Sequence, residues 1–124
     1  MISYAMVGSR DLKRSGEFFD KILGIVGAER VMERDTSIMW SDGKPDRPFF
    51  AVCLPHDGNE ASVGNGTMIS FGAGSKEQVN DIYQCAMDNG GRCEGEPGMR
   101  GDSYYLAYFR DPDGNKFSAF YSLT

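Results

Sequence analysis

Side chains that could act as nucleophiles or general bases are few in this chain of 124 residues. Its one histidine, His56, could serve as a general base or a metal ligand near neutral pH. It lies in the polar, aperiodic stretch HDGNEASVGN at residues 56–65, so we expect an exposed side chain without a catalytic role. Cys53, Cys85 and Cys93 show no CxxC spacing, which argues against a disulfide framework or a zinc knuckle and predicts reduced, partly buried thiols.

Two carboxylates in the sequence Asp111-Pro112-Asp113-Gly114-Asn115 are close enough to form an acid/base pair. The same residues are typical of a hairpin turn, because Pro112 presets φ, both aspartates bond local backbone and Gly114 accepts a positive φ. Catalytic carboxylates need partial burial to separate their pKa values, and an exposed turn does not provide it. We therefore interpret this segment as a hairpin turn and not as an acid/base site.

Two amphipathic segments and a series of short apolar runs predict the elements that position these side chains. The first helix follows Asp11, an N-cap residue, and buries apolar residues at helical spacing up to Leu23. The second follows a capping box of Ser75 and Gln78. Strands are predicted at residues 2–8, 28–33, 37–40, 49–54, 67–73, 92–94, 104–110 and 116–121.

The two halves of the chain repeat with a constant shift in residue number, which pairs Gly8 with Gly72 and Gly27 with Gly91 and superposes the two helix faces. This repeat predicts a single α+β domain in which two tandem βαβββ modules form a curved mixed sheet. The predicted parts are module one at residues 1–55, a linker at residues 56–65 and module two at residues 66–124.

The duplicated unit, the sequence SRDLKRSGEFFDKILG after the first strand and the sequence YYLAYFRDPDGNKF at residues 104–117 resemble the vicinal-oxygen-chelate superfamily. This superfamily includes glyoxalases, bleomycin resistance proteins and extradiol dioxygenases. The resemblance implies that each module curls its strands into half a bowl and that two modules together enclose a ligand cleft. It also implies a homodimer.

Metal-dependent members of the superfamily that the chain resembles hold a divalent cation with His and Glu side chains on the first and last strands of each module. Carried over by position, these ligands fall on Tyr4, Met68 and Ser118, and the constant shift of the repeat assigns the fourth to Leu54. Neutral Met and Ser bind hard cations weakly, and Tyr must first lose a proton. We therefore expect a degenerate metal site and no cofactor, which would leave glyoxalase chemistry without its electrophile.

Seven side chains are expected to line the cleft: Tyr4, Trp40, Met68, Arg100, Tyr104, Tyr105 and Ser118. Arg100 is either a grip for a carboxylate or phosphate, or a solvated loop residue. Trp40 and the tyrosines could stack on a planar ligand. Because side chains alternate along a strand, only one of Tyr104 and Tyr105 can face the cleft, and the other is expected to pack under a helix.

The composition excludes several classes of partner. A formal charge of −5 with scattered Lys and Arg offers no basic stripe for nucleic acid. No apolar run reaches the roughly 20 residues of a membrane span, and nothing resembles a secretory signal, so the expected location is the cytoplasm.

Three functions follow from these observations. The first is a protein that binds a small planar or anionic compound in the cleft without a metal. The second is a metal-dependent lyase, isomerase or dioxygenase, such as an enzyme similar to lactoylglutathione lyase, with a divalent metal held in an unusual way or a tyrosine as acid/base. The third is a partner-binding or regulatory domain that uses the acidic surface.

Overall fold

The computed structural model describes residues 1–124 and contains two helices and eight strands. In chain order the elements are β1 (Tyr4–Gly8), α1 (Leu12–Ile25), β2 (Glu29–Glu33), β3 (Ser37–Ser41), β4 (Phe49–Cys53), β5 (Ile69–Gly72), α2 (Lys76–Asp88), β6 (Arg92–Arg100), β7 (Tyr104–Arg110) and β8 (Lys116–Ser122). The predicted βαβββ order is confirmed in both modules.

The strands of each module form their own four-stranded mixed sheet. The strand order is β1-β4-β3-β2 in module one and β5-β8-β7-β6 in module two. In both sheets the first strand pairs in parallel with the last, and the remaining pairs are antiparallel. The internal repeat is therefore a repeat of topology as well as of sequence.

Both helices begin at the residues that their caps predict. The Asp11 carboxylate accepts a hydrogen bond from Arg14 N at 3.0 Å. Ser75 Oγ accepts from Gln78 N at 3.1 Å, while Gln78 Oε1 accepts from Gly74 N at 2.8 Å. These contacts provide acceptors for backbone N–H groups at the two helix N-termini, where no carbonyl of the helix itself is available.

One aromatic core joins the two modules. Phe50 of β4 lies 4.8 Å from Phe19 of α1 between ring centroids, 5.2 Å from Phe71 of β5 and 5.8 Å from Phe117 of β8. Phe19 and Phe117 are fully buried. The sheet faces that carry the helices therefore share one core, and we call the opposite face of each sheet its helix-free face.

Strand β6 differs most from its prediction, since it runs to Arg100 and not to Glu94. It pairs with β7 along this length through register shifts between Cys93 and Gly98. The sequence does not show the alternation of a strand there, because Gly95 and Gly98 occupy the positions where the register shifts. A side chain at residue 95 would be too close to its neighbour, since a Cβ on Gly95 would lie 3.0 Å from the Tyr108 ring.

His56 is exposed, as predicted. The three cysteines are free; Cys53 and Cys85 are half-buried, but Cys93 is exposed on β6, so the expectation of partial burial is wrong for that thiol. Neither helix is both long and apolar enough to cross a bilayer.

Candidate functional site

Two cations flank one aromatic ring on the helix-free face of module two. The ring centroid of Tyr108 lies 5.6 Å from the Arg100 guanidinium carbon and 5.7 Å from Lys116 Nζ. Neither cation has a carboxylate partner, and Arg100 donates only to backbone carbonyls, among them Glu96 O at 3.0 Å. This arrangement leaves two positive charges free to bind an anion beside an aromatic surface.

The same face carries further aromatic and hydroxyl groups. Tyr104 packs against Phe120 with a centroid distance of 5.3 Å and is 47% exposed. Ser118, the cross-strand partner of Tyr108, donates from Oγ to Ser70 Oγ at 2.6 Å. A flat ring, two unpaired cations and a pair of hydroxyls thus share one side of the sheet.

A cavity of about 490 Å³ opens beside this face. It is lined by Met68, Arg110, Lys116 and the loop at residues 63–67. Arg110 is already neutralised by Glu94, whose carboxylate accepts from Arg110 Nε at 2.6 Å, and the pair holds the pKa of Glu94 below its ordinary value. Lys116 is consequently the free charge at this opening.

The cleft expected between the two modules is not enclosed within one chain. The helix-free face of module one carries the exposed side chains Tyr4, Met6 and Phe49, which are 54%, 45% and 41% exposed. Because the modules pack through their helix-bearing faces, both helix-free faces point outward from the shared core. Four of the seven expected cleft residues lie on or beside the helix-free face of module two, namely Met68, Arg100, Tyr104 and Ser118. Tyr4 is on module one, and Trp40 and Tyr105 are on the core side of their sheets, so the structure does not bring all seven together.

The three firmly assigned metal-ligand positions lie on these faces or at their edge. Tyr4 is on β1, Met68 lies one residue before β5 with 43% exposure, and Ser118 is fully buried on β8. No group of three or more His, Cys, Asp or Glu side chains lies close enough to hold a metal ion.

The prediction that Leu54 occupies the fourth metal-ligand position is wrong. It lies one residue beyond β4, and the strand register pairs Met6 with Ala51 in module one and Ser70 with Ser118 in module two. Since Ser70 is the repeat of Met6, the counterpart of Ser118 is Ala51. The shift between the modules is larger at their last strands than at their first, because β6 has nine residues and β2 has five, whereas the turns that follow them are equal in length.

The prediction that Trp40 lines the bowl-shaped cleft is wrong, because Trp40 is on neither helix-free face and instead forms one wall of a small cavity at the core. It is 1% exposed on the core side of β3, where its indole Nε1 donates to Asp20 Oδ1 at 2.9 Å. Its ring lies 5.9 Å from both Phe19 and Phe50. Sequence reasoning placed this aromatic residue on a strand but not on a face of that strand.

Alternation divides the adjacent tyrosines of β7 as predicted. Tyr105 packs on α2, where its hydroxyl donates to Asn80 Oδ1 at 2.7 Å and Lys76 Nζ lies 5.6 Å from the ring centroid. Tyr104 points to the helix-free face together with Tyr108. Only Tyr104 is therefore placed to contact a ligand there.

Sequence reasoning missed Tyr108, Lys116 and Ser70. The period of two from Tyr104 identifies Tyr108, and the hairpin register places Lys116 opposite Arg110 on the same face. Both of these signals are present in the sequence. The hydrogen bond between Ser70 and Ser118 is not, because it depends on the pairing of β5 with β8.

The turn at residues 111–115 is more than a hairpin turn, and its expected exposure is wrong. The Asp113 side chain is 3% exposed and accepts from Ser9 Oγ at 2.7 Å, Arg10 N at 2.8 Å and Arg14 at 2.8 Å. Asn115 Nδ2 donates to Gly8 O at 2.9 Å. The turn therefore fastens module two to the end of β1.

Burial raises the pKa of Asp111 from 3.8 to about 6, although hydrogen bonds from Asn115 and Asp113 N oppose the shift. Between these pH values the folded state holds a proton that the unfolded state has released, so stability falls as pH rises through this window. The cost of ionisation above pH 6 is about 2–3 kcal/mol.

We expect this cost to be measurable as a difference between the wild-type protein and Asp111→Asn, which cannot ionise. The free energy of unfolding of the wild type should fall by about 2–3 kcal/mol relative to the variant between pH 4 and pH 7. Urea titrations at several pH values measure it. Parallel pH profiles for the two proteins would show that Asp111 does not titrate in this way.

Comparisons with known proteins agree on the fold. Residues 1–119 match the family model of the glyoxalase/bleomycin resistance protein/dioxygenase superfamily. The structure is similar to a glyoxalase/bleomycin resistance protein from Albidiferax ferrireducens T118, with 37% identity, a TM-score of 0.89 and 98% of each chain covered. It also resembles a lactoylglutathione lyase from Agrobacterium tumefaciens, with 18% identity, a TM-score of 0.71 and coverage of 98% of this chain and 92% of that one. No curated protein matches the sequence.

Proposed function

The chain belongs to the glyoxalase/bleomycin resistance protein/dioxygenase superfamily, and from this membership we propose that it binds a small planar anion without a metal on the helix-free face of module two. The observation that carries the proposal is the pair of unpaired cations, Arg100 and Lys116, on either side of Tyr108. The chain as a whole is acidic, with a formal charge of −5. Unpaired cations on one face of such a protein favour an anionic ligand over a neutral one.

The contacts suggest how such a ligand binds. A planar ring can stack on the exposed ring of Tyr104, which shares this face of β7 with Tyr108. A carboxylate or phosphate on the ring is then within reach of the Arg100 guanidinium, which can donate two parallel hydrogen bonds, and of Lys116. The cavity of about 490 Å³ beside Lys116 has the size of a small-molecule site.

The residues at the superfamily's metal positions do not fit a divalent cation. Ser118 Oγ is engaged with Ser70, Met68 offers a thioether, and Ala51 has no donor atom. Hard cations need carboxylate or imidazole ligands, which none of these residues provides. We therefore derive no metal-dependent step, and the lyase or dioxygenase alternative would need ligands from outside this set.

We expect charge-neutralising substitutions to weaken anion binding selectively. The probe is 2-naphthoate, compared with its neutral amide, in calorimetric titrations. Arg100→Gln and Lys116→Gln should each weaken 2-naphthoate binding about tenfold, because each removes a charge-assisted contact. Arg34→Gln, at an exposed position of module one, is the matched control and should have no effect.

Three results would contradict the proposal. Equal affinity for 2-naphthoate and its amide would show that charge is not recognised. Equal affinity of the wild type and both module-two variants would place the site elsewhere. A stoichiometric divalent metal retained through dialysis would favour the enzyme alternative.

Two further properties are proposed with this function. A second copy of the chain would cover the exposed apolar side chains Tyr4, Met6 and Phe49, as expected for a homodimer; the elution mass tests it. A reducing, cytoplasmic location would keep the three thiols free, and the partner-binding alternative would require a second protein that copurifies.

A further inference from the structure

The internal repeat is broken at the residue that precedes the last strand of each module. β8 begins at Lys116 and β4 at Phe49, so these two residues are equivalent in the same register that relates Ser118 to Ala51. The residue before β8 is Asn115, and the residue before β4 is Pro48. Asparagine has a side-chain amide donor, and proline has no N–H donor at all.

Asn115 uses its amide at the junction between the modules. Gly8 is at the end of β1, and its carbonyl oxygen accepts from Asn115 Nδ2 at 2.9 Å. Gly8 lies next to Ser9, whose N–H donates to Cys53 O, so the Gly8 carbonyl points away from β4. The Asn115 side chain of module two thus provides the hydrogen-bond donor for the backbone carbonyl at the end of β1.

Gly72 is the repeat of Gly8 and has no such partner. Ala73 N donates to Phe120 O at 2.7 Å, so the preceding Gly72 carbonyl points away from β8. The neighbouring β3–β4 loop does not supply a donor, because Lys44 N and the Arg47 guanidinium both donate to the Asp42 carboxylate of the same loop. A carbonyl acceptor therefore remains available at the edge of β5.

A cavity of about 190 Å³ lies at this position, between the end of α1, the β3–β4 loop and β5. Its walls include Leu23, Trp40, Pro48, Phe50, Phe71 and Gly72. A volume of about 150 Å³ accommodates one benzene ring, so the space here suits a single-ring compound. The walls also include the polar residues Ser41 and Ser70. The ion pair of Asp42 and Arg47, at 3.2 Å, lies at its rim.

We propose that this cavity is a second binding site, specific for a neutral single-ring aromatic compound that carries an N–H donor. The ring packs against apolar wall residues of both modules, and the N–H donates to Gly72 O in the way that Asn115 donates to Gly8 O. The carbonyl acceptor disfavours anions, so the ligand class differs from that of the helix-free face of module two. The two sites can be tested independently.

Benzamide is the probe, and Trp40 is the reporter, because it is the only tryptophan of the chain and forms part of the cavity wall. We expect a saturable change in Trp40 fluorescence with a Kd near or below about 1 mM. Acetophenone has a similar shape without the N–H and should bind about tenfold more weakly, since it leaves the carbonyl unpaired. Equal binding of the two compounds, or no saturable signal from benzamide, would overturn the proposal.

Two substitutions locate the site. Pro48→Asn restores the side-chain amide that module two carries at the equivalent position, and it should weaken benzamide binding at least tenfold by competing for Gly72 O. Pro45→Asn, at an exposed position of the same loop, is the matched control and should leave binding unchanged. Thermal melts verify that both variants are folded, and unchanged affinity in a folded Pro48→Asn variant would refute the site.

Ala28→Leu, which extends a wall residue into the cavity, should abolish binding and provides a second test.

Discussion

Phe117→Ala is expected to lower the free energy of unfolding by about 3–5 kcal/mol, the range for removal of a large side chain from a packed core. Phe117 is fully buried and its ring lies 5.3 Å from Phe19, 5.8 Å from Phe50 and 5.3 Å from Phe71. These partners come from both modules, so neither sheet can close the space alone. Urea unfolding followed by Trp40 fluorescence and by circular dichroism measures the loss.

Phe49→Ala is the control, because Phe49 is on the opposite side of β4 and is 41% exposed. Its loss should stay below about 1.5 kcal/mol. Comparable losses for the two variants would contradict a core shared between the modules. A Phe49→Ala loss that depends on protein concentration would instead assign Phe49 to the proposed interface between two copies.

Asp113→Ala is expected to lower the free energy of unfolding by about 3–4 kcal/mol, which is unusual for a residue of a hairpin turn. The substitution removes the only side-chain acceptor of Arg10 N and the charged acceptor of Ser9 Oγ, which keeps only its local contact with Asp11 O at 2.9 Å. A charged acceptor in a buried position is costly to lose. The contributions of the Arg10 and Arg14 side chains are small, since these side chains are 45% and 43% exposed. Urea unfolding at pH 7 measures the loss.

Two matched variants separate the tertiary role of Asp113 from its role in the turn. Asp113→Asn keeps one acceptor oxygen and should recover part of the loss. Asp57→Ala removes an exposed aspartate whose bonds are local, to Asn59, and should cost less than about 1 kcal/mol. If Asp113→Ala behaves like Asp57→Ala, the turn does not fasten the modules.

The fold was predictable because its signals are local and repeated. Helix caps at Asp11 and Ser75 depend only on residues within a few positions of one another, and the two helix faces repeat the same spacing. The constant shift between the modules assigned the wrong counterpart to Ser118, because strands β2 and β6 differ in length. The register gives Ala51 and not Leu54, and an error of an odd number of positions changes the face of the sheet on which a side chain lies.

The candidate site was less predictable because it depends on which face of a strand points to the core. Trp40 and Tyr108 are both aromatic residues on strands, yet one is in the core and the other is beside two cations. The turn at residues 111–115 was identified correctly as a turn, but its contacts with Ser9 and Gly8 join residues that are far apart in the sequence. No local pattern reports such a contact.

The fastening of β1 by the turn before β8 also sets an order of events during synthesis. Ser9 is made 104 residues before Asp113, its hydrogen-bond acceptor. At about 5–20 residues per second, the ribosome leaves the first strand without this partner for several seconds. Until then the exposed end of β1 and the unfilled aromatic core are open to chaperones and to other nascent chains. The turn before β8 therefore completes the end of β1, and this contact cannot form before Asp113 and Asn115 have been synthesised.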